Sequence, residues 1–191
     1  MNDFGNKLRI HARTGTHCDA FKNKVDRTMG HSDRAVVFLD FDGVLHPVGV
    51  PAVDDAFRLI ENPDLFVWRP ILERLLAPYP MVGIIVSSDW RRLFDDATLI
   101  RLLGPLATRF VGVVESYGTS RSAEILAEVK LRGLNRWVAL DDHPSVNAAQ
   151  ARDPRFIACG PATGLSAVDV QRTLSARLAA LSVDGFDLSR V

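Results

Sequence analysis

Cysteine, net charge and long apolar runs are all scarce in this chain, and each scarcity closes off a class of function. Two cysteines, Cys18 and Cys159, occur among 191 residues. That is too few for a disulfide framework or a four-cysteine zinc site, and it agrees with a reducing compartment, so a cytoplasmic location is expected. His11, His17, Cys18 and His31 fall near the start of the sequence, but their spacing matches no zinc pattern. The 23 basic and 23 acidic side chains cancel, which leaves no global field to draw the protein to nucleic acid or membrane. No apolar run reaches the roughly 18 residues a membrane span needs. The first residues also lack the apolar stretch of a secretory signal. No internal repeat or low-complexity stretch is visible, which excludes solenoid and array architectures.

What is present is enough hydrophobic residue, 47% of the chain, for one soluble domain with a sizeable core. Residues 1–34 carry Lys7, Arg9, Arg13, Lys22, Lys24, Arg27 and Arg34 against Asp3, Asp19, Asp26 and Asp33. With few apolar residues and no period, they read as a basic, poorly ordered arm before a domain over 35–191. Within that domain Ala35–Leu39, Val82–Val86, Phe110–Val114 and Trp137–Leu140 are almost continuous in apolar residues, with Phe156–Cys159 as a candidate fifth run. Continuous rather than alternating runs predict strands buried on both faces. Between them, Ile71, Leu72, Leu75 and Leu76 have helical spacing, as do Ile125, Leu126 and Val129, and then Leu174, Leu178 and Leu181 after a possible cap at Ser166. Strands alternating with helices predict an α/β fold, a Rossmann-like three-layer sandwich around a parallel sheet. Pro47, Pro51, Pro63 and Pro70 predict a loop or small flap over 46–70.

In such a sheet ligands sit beyond the carboxyl ends of the strands. There the first run ends in Asp40-Phe41-Asp42-Gly43, the second in Ser87-Ser88-Asp89 and the fourth in Asp141-Asp142. Any one of these has an ordinary reading as a turn former or helix cap. Together they crowd carboxylates into one crevice, where like charges about 4 Å apart repel by about 4 kcal/mol at an effective dielectric of about 20. A bound cation resolves that conflict.

These strings carry a resemblance. VVFLDFDGVLHP resembles the first motif of the haloacid dehalogenase (HAD) superfamily, IIVSSDW its second and WVALDD its fourth, in the family's order. DGVLHP, SSDWRR and WVALDDH followed by PATGLS are similar to small HAD domains, some of them fused to RNA-repair enzymes and called Swiss Army Knife proteins. The resemblance implies a Mg²⁺-dependent phosphatase with Asp40 as nucleophile and Asp42 as acid and base. It also implies a metal bound by Asp40, the backbone carbonyl of Asp42 and Asp141 or Asp142, with Asn147 holding a metal-bound water, and a phosphate held by Ser87 or Ser88. An acid at position 42 argues against dehalogenase chemistry. The substrate it implies is a phosphorylated nucleotide or nucleic-acid end, with no membrane partner. The roughly forty residues between the first two motifs also supply a core helix, so the domain is expected to be capless or to have a minimal cap.

The sequence departs from the family at the third motif, where a Lys usually neutralises phosphate. Arg121 stands at the right distance and is favoured, with Lys130 later on the same predicted helix. Trp90-Arg91-Arg92 has two readings, a base-stacking and phosphate-binding cluster or a Trp packed under its helix with the arginines in solvent. His46 and His143 are candidates for the rim of the crevice. A phosphate-binding module without turnover is the alternative function, and a receiver-like phospho-acceptor domain is disfavoured because its acid pair would come first.

Overall fold

The apolar runs form five parallel strands, in a computed structural model that describes residues 34–56, 58–115 and 120–183. These are β1 (Val36–Leu39), β2 (Gly83–Val86), β3 (Phe110–Val113), β4 (Trp137–Asp141) and β5 (Phe156–Ala158), in the order β3-β2-β1-β4-β5. Every residue of β1, β2 and β4 is buried, while β3 and β5 are partly exposed. The difference follows from position, because β3 and β5 are the edges and the other three are covered on both faces.

Among the described residues six α-helices supply the covering layers: α1 (Arg69–Leu76), α2 (Trp90–Leu93), α3 (Asp96–Leu103), α4 (Arg121–Arg132), α5 (Pro144–Gln150) and α6 (Val168–Val183). Alternation along each strand sorts the core into two halves. Val37, Leu39, Ile84, Val86 and Leu140 pack on one side against Leu72 of α1, Leu99 of α3 and Leu174 of α6. Val36, Phe38, Ile85 and Ala139 face the other side, against Ile125 of α4 and Val146 of α5. The result is the expected three-layer sandwich.

Several local expectations need correction. Ser166 does not cap α6; it ends a short 3-10 turn and its hydroxyl donates back to the carbonyl of Thr163. Leu126 is exposed, and α4 instead buries Arg121, Glu124, Ile125 and Glu128, a mixed charged face that hydrophobic spacing cannot reveal. Helices α3 and α5 add to those the spacing predicts; α3 is started by Asp95, whose carboxylate accepts from the Thr98 N–H at 2.8 Å. The proline-spaced segment is a loop with one antiparallel bridge, Val53 to Leu59, so a small flap stands where a cap domain would. The basic arm, with its histidines and Cys18, falls outside the described residues apart from Arg34. Among the described residues no helix is long and apolar enough to cross a membrane.

Candidate active site

Strand order sets the site. β1 lies between β2 and β4, in register from Val36 opposite Gly83 and Trp137 to Leu39 opposite Val86 and Leu140. The residues that leave these three strands therefore emerge side by side, at the switch point where ligands bind in parallel sheets. Asp40 leaves β1 and is buried, Ser87 and Ser88 leave β2 and are fully buried, and Asp141 ends β4, also fully buried.

Asp40, Asp141 and Asp142 converge, each offering an oxygen, with these atoms all within 4.8 Å of one another. Gly43 makes the approach possible. Its φ is +65°, and a Cβ there would stand 2.3 Å from an Asp142 carboxylate oxygen, so the DxDG turn can close on β4 only with glycine. Three acids at this distance repel in the absence of a cation. Burial first, then the charge of Asp141, pushes Asp40 well above the usual carboxylate range, with Arg121, the Phe41 N–H and the Ser88 hydroxyl pulling back. Burial raises Asp141 to about 6 even though Arg121 and the His143 N–H favour its ionised form. Asp142 is raised too, by burial and then by Asp42. One oxygen of Asp141 accepts the His143 N–H at 2.9 Å, while the other is buried with no hydrogen-bond partner. An all-oxygen set in which one buried carboxylate oxygen accepts no hydrogen bond and has only the 3.5 Å ion-pair contact of Arg121 fits a hard divalent cation such as Mg²⁺.

Asp42 is treated differently by the fold. Its Oδ2 accepts the indole N–H of Trp90 at 2.7 Å and its Oδ1 lies 3.2 Å from Nε2 of His46. Burial raises this carboxyl, but the His46 and Trp90 hydrogen bonds together outweigh burial and hold it below its ordinary value. The side chain stays 38% exposed, so it remains reachable from solvent. The resemblance gives Asp42 a place at the metal through its backbone carbonyl; its carboxylate lies outside the converging group and is engaged by two protein partners.

Arg121 occupies the first turn of α4, where a cation opposes the helix dipole and gains nothing from the helix itself. Anions explain its place: Nε is 3.5 Å from Asp141 and Nη2 is 3.3 Å from Asp89. Its Nη1 is buried without a hydrogen-bond partner, as is the Ser87 hydroxyl. Lys130 lies exposed in the last turn of α4, about 13 Å along the axis from Arg121 at a rise of about 1.5 Å per residue, so of the two candidates Arg121 is the one at the acids. Asn147 is exposed on α5. His143, also exposed, precedes α5 and accepts the Ser145 N–H at 3.1 Å through Nδ1, so it is a cap at the rim.

The packing reading of Trp90-Arg91-Arg92 holds for Trp90 and for the exposed Arg92 and fails for Arg91. Trp90 is buried, in ring contact with Phe41, His46, Phe66 and Phe94, so it is no stacking platform. Arg91 is not in solvent but fully buried, bonded to the carbonyls of Ser87, Ser88 and Val114 and to Glu124 at 2.7 Å. It ties the ends of β2 and β3 to the first turn of α4. Arg92 joins the same Glu124 at 3.2 Å. The tie was invisible in sequence because Arg91 and Glu124 stand far apart in the chain and nothing in either string pairs them.

A parallel α/β sheet with DxDG after its first strand and paired acids after its fourth, meeting at one crevice, defines a HAD-type hydrolase. The chain belongs to this superfamily and, within it, to the family described as the HAD domain in Swiss Army Knife RNA repair proteins, whose model matches residues 36–170. No curated protein and no solved structure matches the chain.

Proposed function

We propose that the protein is a Mg²⁺-dependent phosphatase that works through an aspartyl-phosphate on Asp40. The observation that carries this reading is the meeting of Asp40, Asp141 and Asp142 within 4.8 Å, beside two buried donors without partners, the Ser87 hydroxyl and Nη1 of Arg121. Acids alone would describe a cation site. Acids beside orphaned donors describe a place for an anion held against a cation, as phosphoryl transfer requires. Asp40, Asp141 and Asp142 would hold the metal, which when bound supplies charge neutralisation and alignment for an anionic phosphate.

In the first step a carboxylate oxygen of Asp40 attacks phosphorus, the bond to the leaving oxygen breaks, and Asp42 gives that oxygen a proton. In the second, water attacks the phosphorus of the aspartyl-phosphate, Asp42 takes the proton, and Asp40 is released with inorganic phosphate. Asp42 begins the cycle protonated and ends it so. Its two hydrogen bonds favour the carboxylate, the form the second step uses. The arriving phosphate dianion pushes it toward the protonated form the first step uses, since a like charge disfavours ionisation. Ser87, Ser88 and Arg121 grip the phosphate oxygens, and Arg121 can do so with a two-pronged guanidinium.

The small flap leaves the crevice open, and the family's association with RNA repair supports a nucleotide or a phosphorylated nucleic-acid end as substrate, in the cytoplasm. Hydrolysis of p-nitrophenyl phosphate is the test. Turnover is expected with Mg²⁺, lost in chelator, and at least about 10³-fold lower in Asp40→Asn. Equal rates for wild type and Asp40→Asn exclude the mechanism. Phosphate binding without turnover of p-nitrophenyl phosphate, mononucleotides or 5′- and 3′-phosphorylated oligonucleotides replaces it with the binding module.

A further inference from the structure

The geometry points to Trp90 and His46 as positioning residues that hold Asp42 in the orientation from which it transfers its proton, an inference that rests on the phosphatase reading above. The Asp42 carboxylate is not among the three acids that converge, and its two oxygens meet two different side chains. The indole N–H is a donor only, so it fixes Oδ2 as an acceptor. The contact from Nε2 of His46 restrains Oδ1. With both oxygens restrained, the carboxyl plane cannot swing, and the remaining lone pairs stay on the solvent-open side of a side chain that is 38% exposed.

Both partners are buried more deeply than the acid they hold. His46 is fully buried and Trp90 almost so, and their rings lie 5.9 Å apart in edge-on contact, with Phe66 against each at 5.2 and 5.5 Å. A tight turn places His46: the Leu45 N–H bonds the Phe41 carbonyl at 2.8 Å, bringing the chain back beside Asp42. Trp90 is placed by its neighbours, since Arg91 pins the carbonyls of Ser87 and Ser88. The phosphate grip and the indole that holds the proton donor thus share one short segment, Ser87 to Arg91. A displacement of about 1 Å at a reacting group can cost about 100-fold in rate, so a fixed carboxyl is worth building.

The proton step is the same as above. The bond from phosphorus to the leaving oxygen breaks, that oxygen takes the Asp42 proton, and water returns one when the aspartyl-phosphate is cleaved. Its importance depends on the leaving group. A p-nitrophenolate departs without a proton, whereas an alkoxide from glycerol phosphate needs one. A residue that merely supports the fold slows both substrates alike. In kcat/KM, which reports the steps through departure of the leaving group and not the later hydrolysis common to both esters, a residue that aims the proton slows only the second.

Trp90→Phe keeps the packing and removes the N–H. For Trp90→Phe we expect kcat/KM to fall at least about tenfold on glycerol phosphate and less than about threefold on p-nitrophenyl phosphate, within the usual range of acid–base contributions. The inhibition constant of inorganic phosphate should stay within about twofold. His46→Leu should repeat the pattern and His46→Gln, which keeps an amide donor, should restore most of the loss. The His46 pair decides the matter if Trp90→Phe does not fold. Equal losses on the two substrates, or no rescue by Gln, overturn the positioning role while leaving the phosphatase intact. A wild-type protein that hydrolyses neither ester overturns the phosphatase reading and this role with it.

Discussion

At Gly43 one missing carbon decides whether two acidic motifs can meet. Alanine there has to adopt φ near +65° and to place its Cβ 2.3 Å from an Asp142 oxygen. Gly43→Ala is therefore expected to lower stability by about 1–3 kcal/mol from backbone strain alone. It should also weaken Mg²⁺ at least tenfold, because Asp142 must move; thermal melts and isothermal titration with Mg²⁺ read the two effects separately. Arg121→Lys keeps the charge but loses the fork, so the phosphate inhibition constant should rise modestly, and Arg121→Ala should raise it further. The residue scale is where the sequence was most legible. DxDG, the serine pair and the acid pair are local strings whose chemistry is written in adjacent letters. Trp90 and His46 were not legible as partners of Asp42, because nothing local distinguishes an indole that donates to a carboxylate 48 positions earlier from one that packs.

Among the elements, the tie between β2, β3 and α4 depends on a buried ion pair that no hydrophobic period could reveal. Arg91 and Glu124 are fully or almost fully buried and 2.7 Å apart. Removing one partner leaves the other charge in a poor solvent, so Arg91→Met is expected to destabilise the protein by about 3–5 kcal/mol. Arg91→Met combined with Glu124→Leu should cost less than Arg91→Met alone, and a double-mutant cycle of denaturation midpoints measures that coupling. The strands were legible because β1, β2 and β4 are buried along their whole length and so read as unbroken apolar runs. Helix α4 was legible only in part: its inner face carries Arg121, Glu124 and Glu128, residues ordinarily assigned to solvent. The string PATGLS gains a structural meaning at this scale. Gly164 packs on Trp68, where a Cβ would stand 2.4 Å from the ring, and Leu165 N–H bonds the Val44 carbonyl at 3.1 Å, so the turn after β5 braces the DxDG loop.

For the molecule as a whole, the acids make stability depend on pH and metal together. Burial raises Asp40, Asp141 and Asp142 in the folded, metal-free protein, Asp141 from 3.8 to about 6. A raised carboxyl binds its proton more tightly folded than unfolded, so it favours folding below the unfolded value and loses that contribution as pH rises through the folded one. In chelator the melting temperature should fall between about pH 4 and pH 7, with Asp141 alone contributing on the order of 3 kcal/mol at about 1.4 kcal/mol per pKa unit. Mg²⁺ should restore more at pH 7 than at pH 5, and melts across pH with and without the ion test this. A melting temperature in chelator that rises over that window contradicts the buried-acid account. The strand order has a last consequence, for time rather than for energy. Val36 pairs with Trp137, roughly a hundred residues later, and contacts so distant in sequence form slowly. During synthesis β1 and its two aspartates leave the ribosome long before the strand that completes their crevice. On the proposed function, the nascent chain has no means of holding a metal or cleaving an ester until β4 has been inserted, and hydrolytic competence should emerge late and abruptly in a translation time course.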